Sequence, residues 1–173
     1  MNRIAIALTV SSALALAACN RQPPEVTPDP PQDVVTNPTP TPTATTPAGP
    51  QPGSQMHFAD AMMGADTIYF DTDRYNIDSE DATALRRQAE YLLQYTNARA
   101  TVEGHADERG TRDYNLALGE RRANAAKNYL VSLGVPESRL NTVSYGEERP
   151  VATGSNETAW ARNRRAVTVM ITR

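Results

Sequence analysis

The sequence predicts an α+β domain in which two helices pack on one face of a mixed sheet, in the order β-α-β-α-β-β. Three observations predict it. Two stretches carry apolar residues at helical spacing, around 79–97 and 114–133. Short β-branched or aromatic runs flank them. The last residues alternate, with Val167, Val169 and Ile171 separated by polar neighbours.

Taken in order, Thr67-Ile68-Tyr69-Phe70 reads as the first strand. A polar loop, Asp71 to Asp78, follows it. Asp78 or Ser79 caps a helix running to about Asn97, with Ala82, Leu85, Ala89, Leu92 and Leu93 as its apolar stripe. Ala100 to Gly104 is the second strand. Tyr114 to Leu133 is the second helix, with Leu118, Ala125, Tyr129 and Leu133 on its buried side, and Gly134 then Pro136 stop it. Leu140 to Tyr145 is a third strand, and a long loop separates it from the terminal one. No internal repeat is visible.

The domain occupies only part of the 173 residues. Eleven of the 13 prolines fall between Pro23 and Pro52, so residues 19–55 lack the apolar surface to fold and form a linker. Fully extended at ~3.1 Å per residue, it reaches on the order of 100 Å. Residues 56–173 are long enough for one core. The chain has 17 basic and 20 acidic residues with no basic half, which argues against nucleic-acid binding.

Residues 1–18 read as a cleaved secretory signal: Arg3, then an apolar run from Ile4 to Leu16 too short for a stable membrane anchor. The only cysteine, Cys19, follows directly, so the domain holds no disulfide. Leu16-Ala17-Ala18-Cys19 resembles the bacterial lipoprotein box. That resemblance implies cleavage before Cys19 and its acylation, and Asn20, in place of aspartate, implies the outer membrane.

The richest segment runs from Val102 to Leu130 as strand, polar loop and helix. It sets Asp107 on the loop and Arg122 fifteen positions later on the helix, where the two can converge. A fixed carboxylate beside a fixed guanidinium suits a ligand bearing both an amine and a carboxylate. Neighbouring helical side chains diverge by about 100°. Arg121 therefore faces solvent or a partner when Arg122 faces the ligand.

Gly104-His105-Ala106-Asp107-Glu108-Arg109-Gly110-Thr111, Tyr114-Asn115, Leu118-Gly119-Glu120-Arg121-Arg122-Ala123, Ser144-Tyr145-Gly146 and Asn163-Arg164-Arg165 closely resemble the peptidoglycan-associated lipoproteins. These form the Pal family of the OmpA-like peptidoglycan-binding domain superfamily. The resemblance covers 66–173 and implies the OmpA-like two-layer sandwich. It implies noncovalent binding of the peptidoglycan stem peptide at its diaminopimelate residue, and a place in the Tol–Pal system with TolB and other Tol proteins as partners. By the same resemblance Asp107 accepts hydrogen bonds from the ligand ammonium and Arg122 grips its carboxylate. Asp73 matches a further contact position, although Thr72 stands where many members carry an aromatic. The sequence does not choose between Asp71 and Asp73 as the carboxylate facing the ligand. His105 is read as a wall of the site or a hydrogen bond that shapes it, beside the equal alternative of a structural loop histidine, and Asn115 as a cap or brace for the loop. One of Arg164 and Arg165 can line the site, but surface ion pairing or pairing with Glu103 or Glu148 is the favoured reading. Gly104, Gly110 and Gly146 are read as turn glycines, and Trp160 as packing.

Catalysis is not expected. The chain has two histidines, no Gly-x-Ser-x-Gly elbow and no phosphate-binding loop, and a catalytic zinc commonly needs three protein ligands. No cofactor or metal is expected. The alternative function is a periplasmic protein-interaction adaptor without wall binding, docking through Glu120, Arg121, Asn124 and Lys127.

Overall fold

The computed structural model describes residues 49–171. The expected signal at 1–18, Cys19 and the linker up to residue 48 lie outside the described residues. The elements are α1 (Gln55–Met62), β1 (Thr67–Tyr69), α2 (Ser79–Gln94), β2 (Ala100–His105), α3 (Arg112–Ser132), β3 (Leu140–Gly146), α4 (Glu157–Asn163) and β4 (Arg165–Met170). The sheet order is β1-β4-β2-β3. β4 runs antiparallel to both β1 and β2, and β2 runs parallel to β3. The α+β class and the mixed sheet follow the sequence expectation. Two short helices, α1 and α4, add to it. Each starts where a polar side chain caps it: Ser54 accepts from the His57 amide, and Asn156 from the Ala159 amide.

The core lies between the sheet and helices α2 and α3, with Phe58, Leu85, Leu92, Val102, Ala123 and Leu130 among its buried members. α2 opens with a capping box between Asp78 and Asp81. Asp81 also accepts from the Tyr69 amide at 3.2 Å, tying the helix start to the sheet edge. Burial pushes the Asp81 carboxyl up from its ordinary value.

Three details of the expected pattern change. Leu93 is exposed, one helical step around from the buried Leu92. α3 begins two residues early, because Thr111 accepts from the Tyr114 amide and caps it. Its buried face is Asn115, Leu118, Gly119, Arg122, Ala123, Ala126 and Leu130, whereas Ala125, Tyr129 and Leu133 sit half-buried beside it. β4 likewise buries Ala166, Thr168 and Met170, leaving Val167 and Val169 half-buried on the opposite face. Thr168 goes inside because its hydroxyl donates to the Gln88 side chain at 2.6 Å.

Gly104 and Gly119 bring α3 close to the sheet. A Cβ on Gly104 would fall on the Gly119 carbonyl, and one on Gly119 would strike the Ser144 hydroxyl. The pair therefore serves close helix–strand approach. For Gly104 this replaces the turn role expected from sequence.

Candidate functional site

The loops leaving β1 and β2 meet the first turns of α3 around a cavity of about 330 Å³. Its walls include Thr72, Asp73, Asp107, Arg109, Tyr114 and Arg122. Asp107, Arg122, Asp73 and Asn115 all line it. Asp73 lines this cavity, whereas Asp71 borders a different one. Asp73 sits in the left-handed region at φ 57°, and the Tyr114 hydroxyl donates to its Oδ1 at 3.1 Å. That contact pushes the Tyr114 hydroxyl up from its ordinary value.

Arg122 is fully buried, and its placement explains the site's shape. Nε donates to the Arg74 carbonyl at 2.9 Å, Nη1 to the His105 carbonyl at 2.8 Å and Nη2 to the Asp71 carbonyl at 3.1 Å. One guanidinium thus joins the loop after β1, the end of β2 and α3. A guanidinium has five N–H donors, so one on each terminal nitrogen remains for a ligand. Burial, helped by the nearby Arg164, lowers its pKa to about 10, which leaves it charged at neutral pH.

Asp107 is 7% exposed. Arg109 closes on it side-on, Nε to Oδ1 at 2.9 Å and Nη2 to Oδ2 at 2.7 Å. The Arg109 amide adds a bond to Oδ1 at 3.1 Å, and Arg164 Nη1 approaches Oδ2 at 3.4 Å. Burial alone would raise the Asp107 carboxyl, but these hydrogen bonds outweigh it and the net shift is downward. Asp107 is therefore an anion at any physiological pH.

Asn115 braces the loop from α3, donating to the Arg109 carbonyl at 3.0 Å and to the Glu147 carboxylate. His105 is a correction. Its side chain does not line the cavity but turns to the other side of the sheet, against Tyr145 at 5.5 Å between ring centroids. Neither ring nitrogen has a hydrogen-bond partner among the described residues, and Glu103 stands 3.8 Å away. Burial, with Arg165 and Arg149 nearby, lowers its pKa to about 4. Only its carbonyl serves the site, through Arg122.

Arg164 is buried, not a surface ion-pairing residue. It donates to the Phe70 carbonyl at 2.9 Å and to Glu157 at 2.8 Å while facing Asp107. Trp160 packs as expected, under the Arg109 guanidinium at 4.2 Å, and its Nε1 donates to Glu108 at 3.0 Å. The sequence reading passed over Arg109 and Thr72, whose hydroxyl accepts from Arg109 Nη2 at 3.3 Å. The signal for Arg109 was its place two residues after Asp107, where its own amide closes on the carboxylate. Among the described residues no group of three or more His, Cys, Asp or Glu is arranged to hold a metal, and no helix is long and apolar enough to cross a membrane.

Comparison with known proteins matches residues 69–164 to the OmpA family. A peptidoglycan-associated lipoprotein of Rhizobium meliloti is 54% identical over 119 residues, covering 69% of this chain and 66% of that one. One from Mesorhizobium japonicum is 55% identical over 119 residues, covering 69% of this chain and 70% of its own length. The crystal structure of the peptidoglycan-associated lipoprotein from Burkholderia pseudomallei superposes with a TM-score of 0.59 at 42% identity, covering 61% of this chain and 89% of that one.

Proposed function

The chain belongs to the OmpA family and, within it, to the peptidoglycan-associated lipoproteins, and on that premise we propose that it is an outer-membrane lipoprotein that holds the cell wall. Its domain binds the peptidoglycan stem peptide noncovalently at diaminopimelate and so tethers the outer membrane to the wall. The anchor is the acylated Cys19, released by cleavage of residues 1–18. The segment from Cys19 up to the start of α1 at Gln55 is the tether, and the chain from α1 onward is the wall-binding domain. TolB and the other Tol proteins are its partners. The exposed face of α3, where Arg121 lies near the Tyr75 and Tyr114 rings, suits such a partner.

One observation carries this reading: a single cavity holds a fixed carboxylate, Asp107, and a fixed guanidinium, Arg122, with Asp73 at its rim. That charge pattern matches the free end of diaminopimelate, an ammonium and a carboxylate on one carbon. The ammonium takes Asp107, and the carboxylate takes the two N–H donors Arg122 has left. The role is binding; the geometry offers a receptor for charge, with no activated nucleophile beside it. Weak single sites act together because many anchored copies face one wall.

Sedimentation with purified sacculi tests the reading. The wild-type protein pellets with sacculi, and Asp107→Asn, which keeps the volume and removes the charge, stays in the supernatant. An Asp107→Asn protein that pellets like wild type would overturn the reading. The adaptor alternative predicts that the wild type itself stays in the supernatant while still binding TolB.

A further inference from the structure

Arg109 occupies the place on Asp107 that a ligand ammonium needs. Its Nε and Nη2 take one carboxylate oxygen each, its own amide shares Oδ1, and Arg164 shares Oδ2. An ammonium reaches Asp107 only if the Arg109 side chain leaves. The surroundings permit that movement. The Arg109 side chain is 37% exposed and lies on the cavity wall. Its other contacts, the Trp160 face at 4.2 Å, Glu157 at 3.8 Å and the Thr72 hydroxyl at 3.3 Å, are surface contacts that yield readily. Its backbone, by contrast, is pinned by Asn115. Arg122 cannot make such a movement, because three backbone carbonyls hold it in a fully buried position.

We propose that Arg109 is a specificity-determining residue that works by ion-pair exchange: it yields Asp107 to the ligand ammonium and takes the carboxylate on the same carbon. This rests on the wall-binding reading and deepens it. Before binding, Arg109 closes on Asp107, which Arg164 also approaches, and Glu157 stands 3.8 Å from Arg109. Afterwards the ligand ammonium takes the place of Arg109 on Asp107, and Arg109 pairs with the ligand carboxylate. A plain amine, such as a lysine side chain, displaces Arg109 without offering it an anion. A ligand whose carboxylate is a carboxamide does the same. Both leave the Arg109 guanidinium without the bidentate carboxylate it had, with only the exposed Glu157 near it, which is where discrimination arises. Arg122 holds the other edge of the same carboxylate and keeps its fixed position.

The test is calorimetric titration of the wild-type protein, Arg109→Gln and Arg109→Lys with three stem peptides carrying diaminopimelate, its side-chain carboxamide, or lysine. Wild type is expected to prefer the diaminopimelate peptide over the other two by about tenfold or more, and Arg109→Gln to bind all three within about threefold. Loss of the competing guanidinium should also make the lysine peptide bind Arg109→Gln more tightly than wild type. Arg109→Lys keeps the charge without the bidentate fork and should fall between them. Thermal unfolding of each variant checks that this rim residue is not needed for folding. An Arg109→Gln protein that keeps the full preference would overturn the exchange and leave Arg122 as the sole reader of the carboxylate. A wild-type protein that binds none of the three peptides would remove the wall-binding reading itself.

Discussion

The floor and the rim of the cavity are built from similar residues under opposite conditions. The floor holds Arg122, Asn115 and Asp107, all buried, with Arg122 pinned by three backbone carbonyls. The rim holds Thr72, Asp73 and Tyr114, all exposed, and Arg109, whose side chain is partly so. The difference teaches that two arginines reaching one cavity do unlike work. Arg122 builds the receptor, and Arg109 answers to what enters it. Floor substitutions should therefore cost stability and binding together, and rim substitutions binding alone.

The largest effect expected is for Arg122→Met, which removes a buried charge and leaves the carbonyls of His105, Arg74 and Asp71 without their donor, and should destabilise the domain by about 3–5 kcal/mol. Urea unfolding monitored by circular dichroism measures it. Binding with near-normal stability in that variant would break the comparison.

Next comes a pH effect under the floor. His105 is held neutral with its pKa lowered to about 4 from an ordinary 6.5. The unfolded chain binds the proton more readily, so stability is full above about pH 6.5 and falls as pH drops toward 4. The loss across that window is on the order of 3 kcal/mol. Asp107 acts lower: its depressed carboxyl gives stability that is full above the ordinary value of 3.8 and lost as pH falls below it. Urea midpoints between pH 7 and pH 4.5 therefore read the histidine above the Asp107 range, against an opposite contribution from Asp81, whose raised carboxyl gains stability as pH falls. Substituting His105→Asn should flatten the curve, and an unchanged slope would show that the ring is not the sensor.

A smaller loss, about 2 kcal/mol, is expected for Gly119→Ala, whose new Cβ meets the Ser144 hydroxyl and the Gly104 carbonyl. Thermal unfolding reads it. The smallest change belongs to the rim. Tyr114→Phe removes the hydroxyl bonded to Asp73 and should leave the urea midpoint at the wild-type value, while stem-peptide affinity falls about threefold. A fall in the midpoint would move Tyr114 from rim to floor.

Much of this was legible before any coordinates. Asp107 and Arg122 could be paired because a strand, a loop and a helix between them leave few geometries. α2 was legible because its stripe of Ala82, Leu85, Ala89 and Leu92 is apolar. α3 was read one step out of phase for the opposite reason. The face it buries carries Asn115, Gly119 and Arg122, residues that a hydrophobic period rejects. β4 misled in the same way, since Thr168 is buried by virtue of its bond to Gln88. That Asp73 and not Asp71 lines this cavity was not legible, and Asp73 takes a left-handed backbone that composition does not announce. Arg109 stood in the motif with no role assigned, because its importance lies in the carboxylate it closes on. The places where the pattern failed cluster at the cavity, where polar groups are buried for the receptor's sake.

The most direct test of the central claim is an NMR titration of the isotope-labelled protein with a diaminopimelate stem peptide, with the lysine peptide as control. Saturable shifts centred on Thr72–Asp73, Asp107–Gly110 and the first turns of α3, much weaker with lysine, are the predicted result. A folded protein that shows no shifts at these positions at millimolar peptide would contradict it.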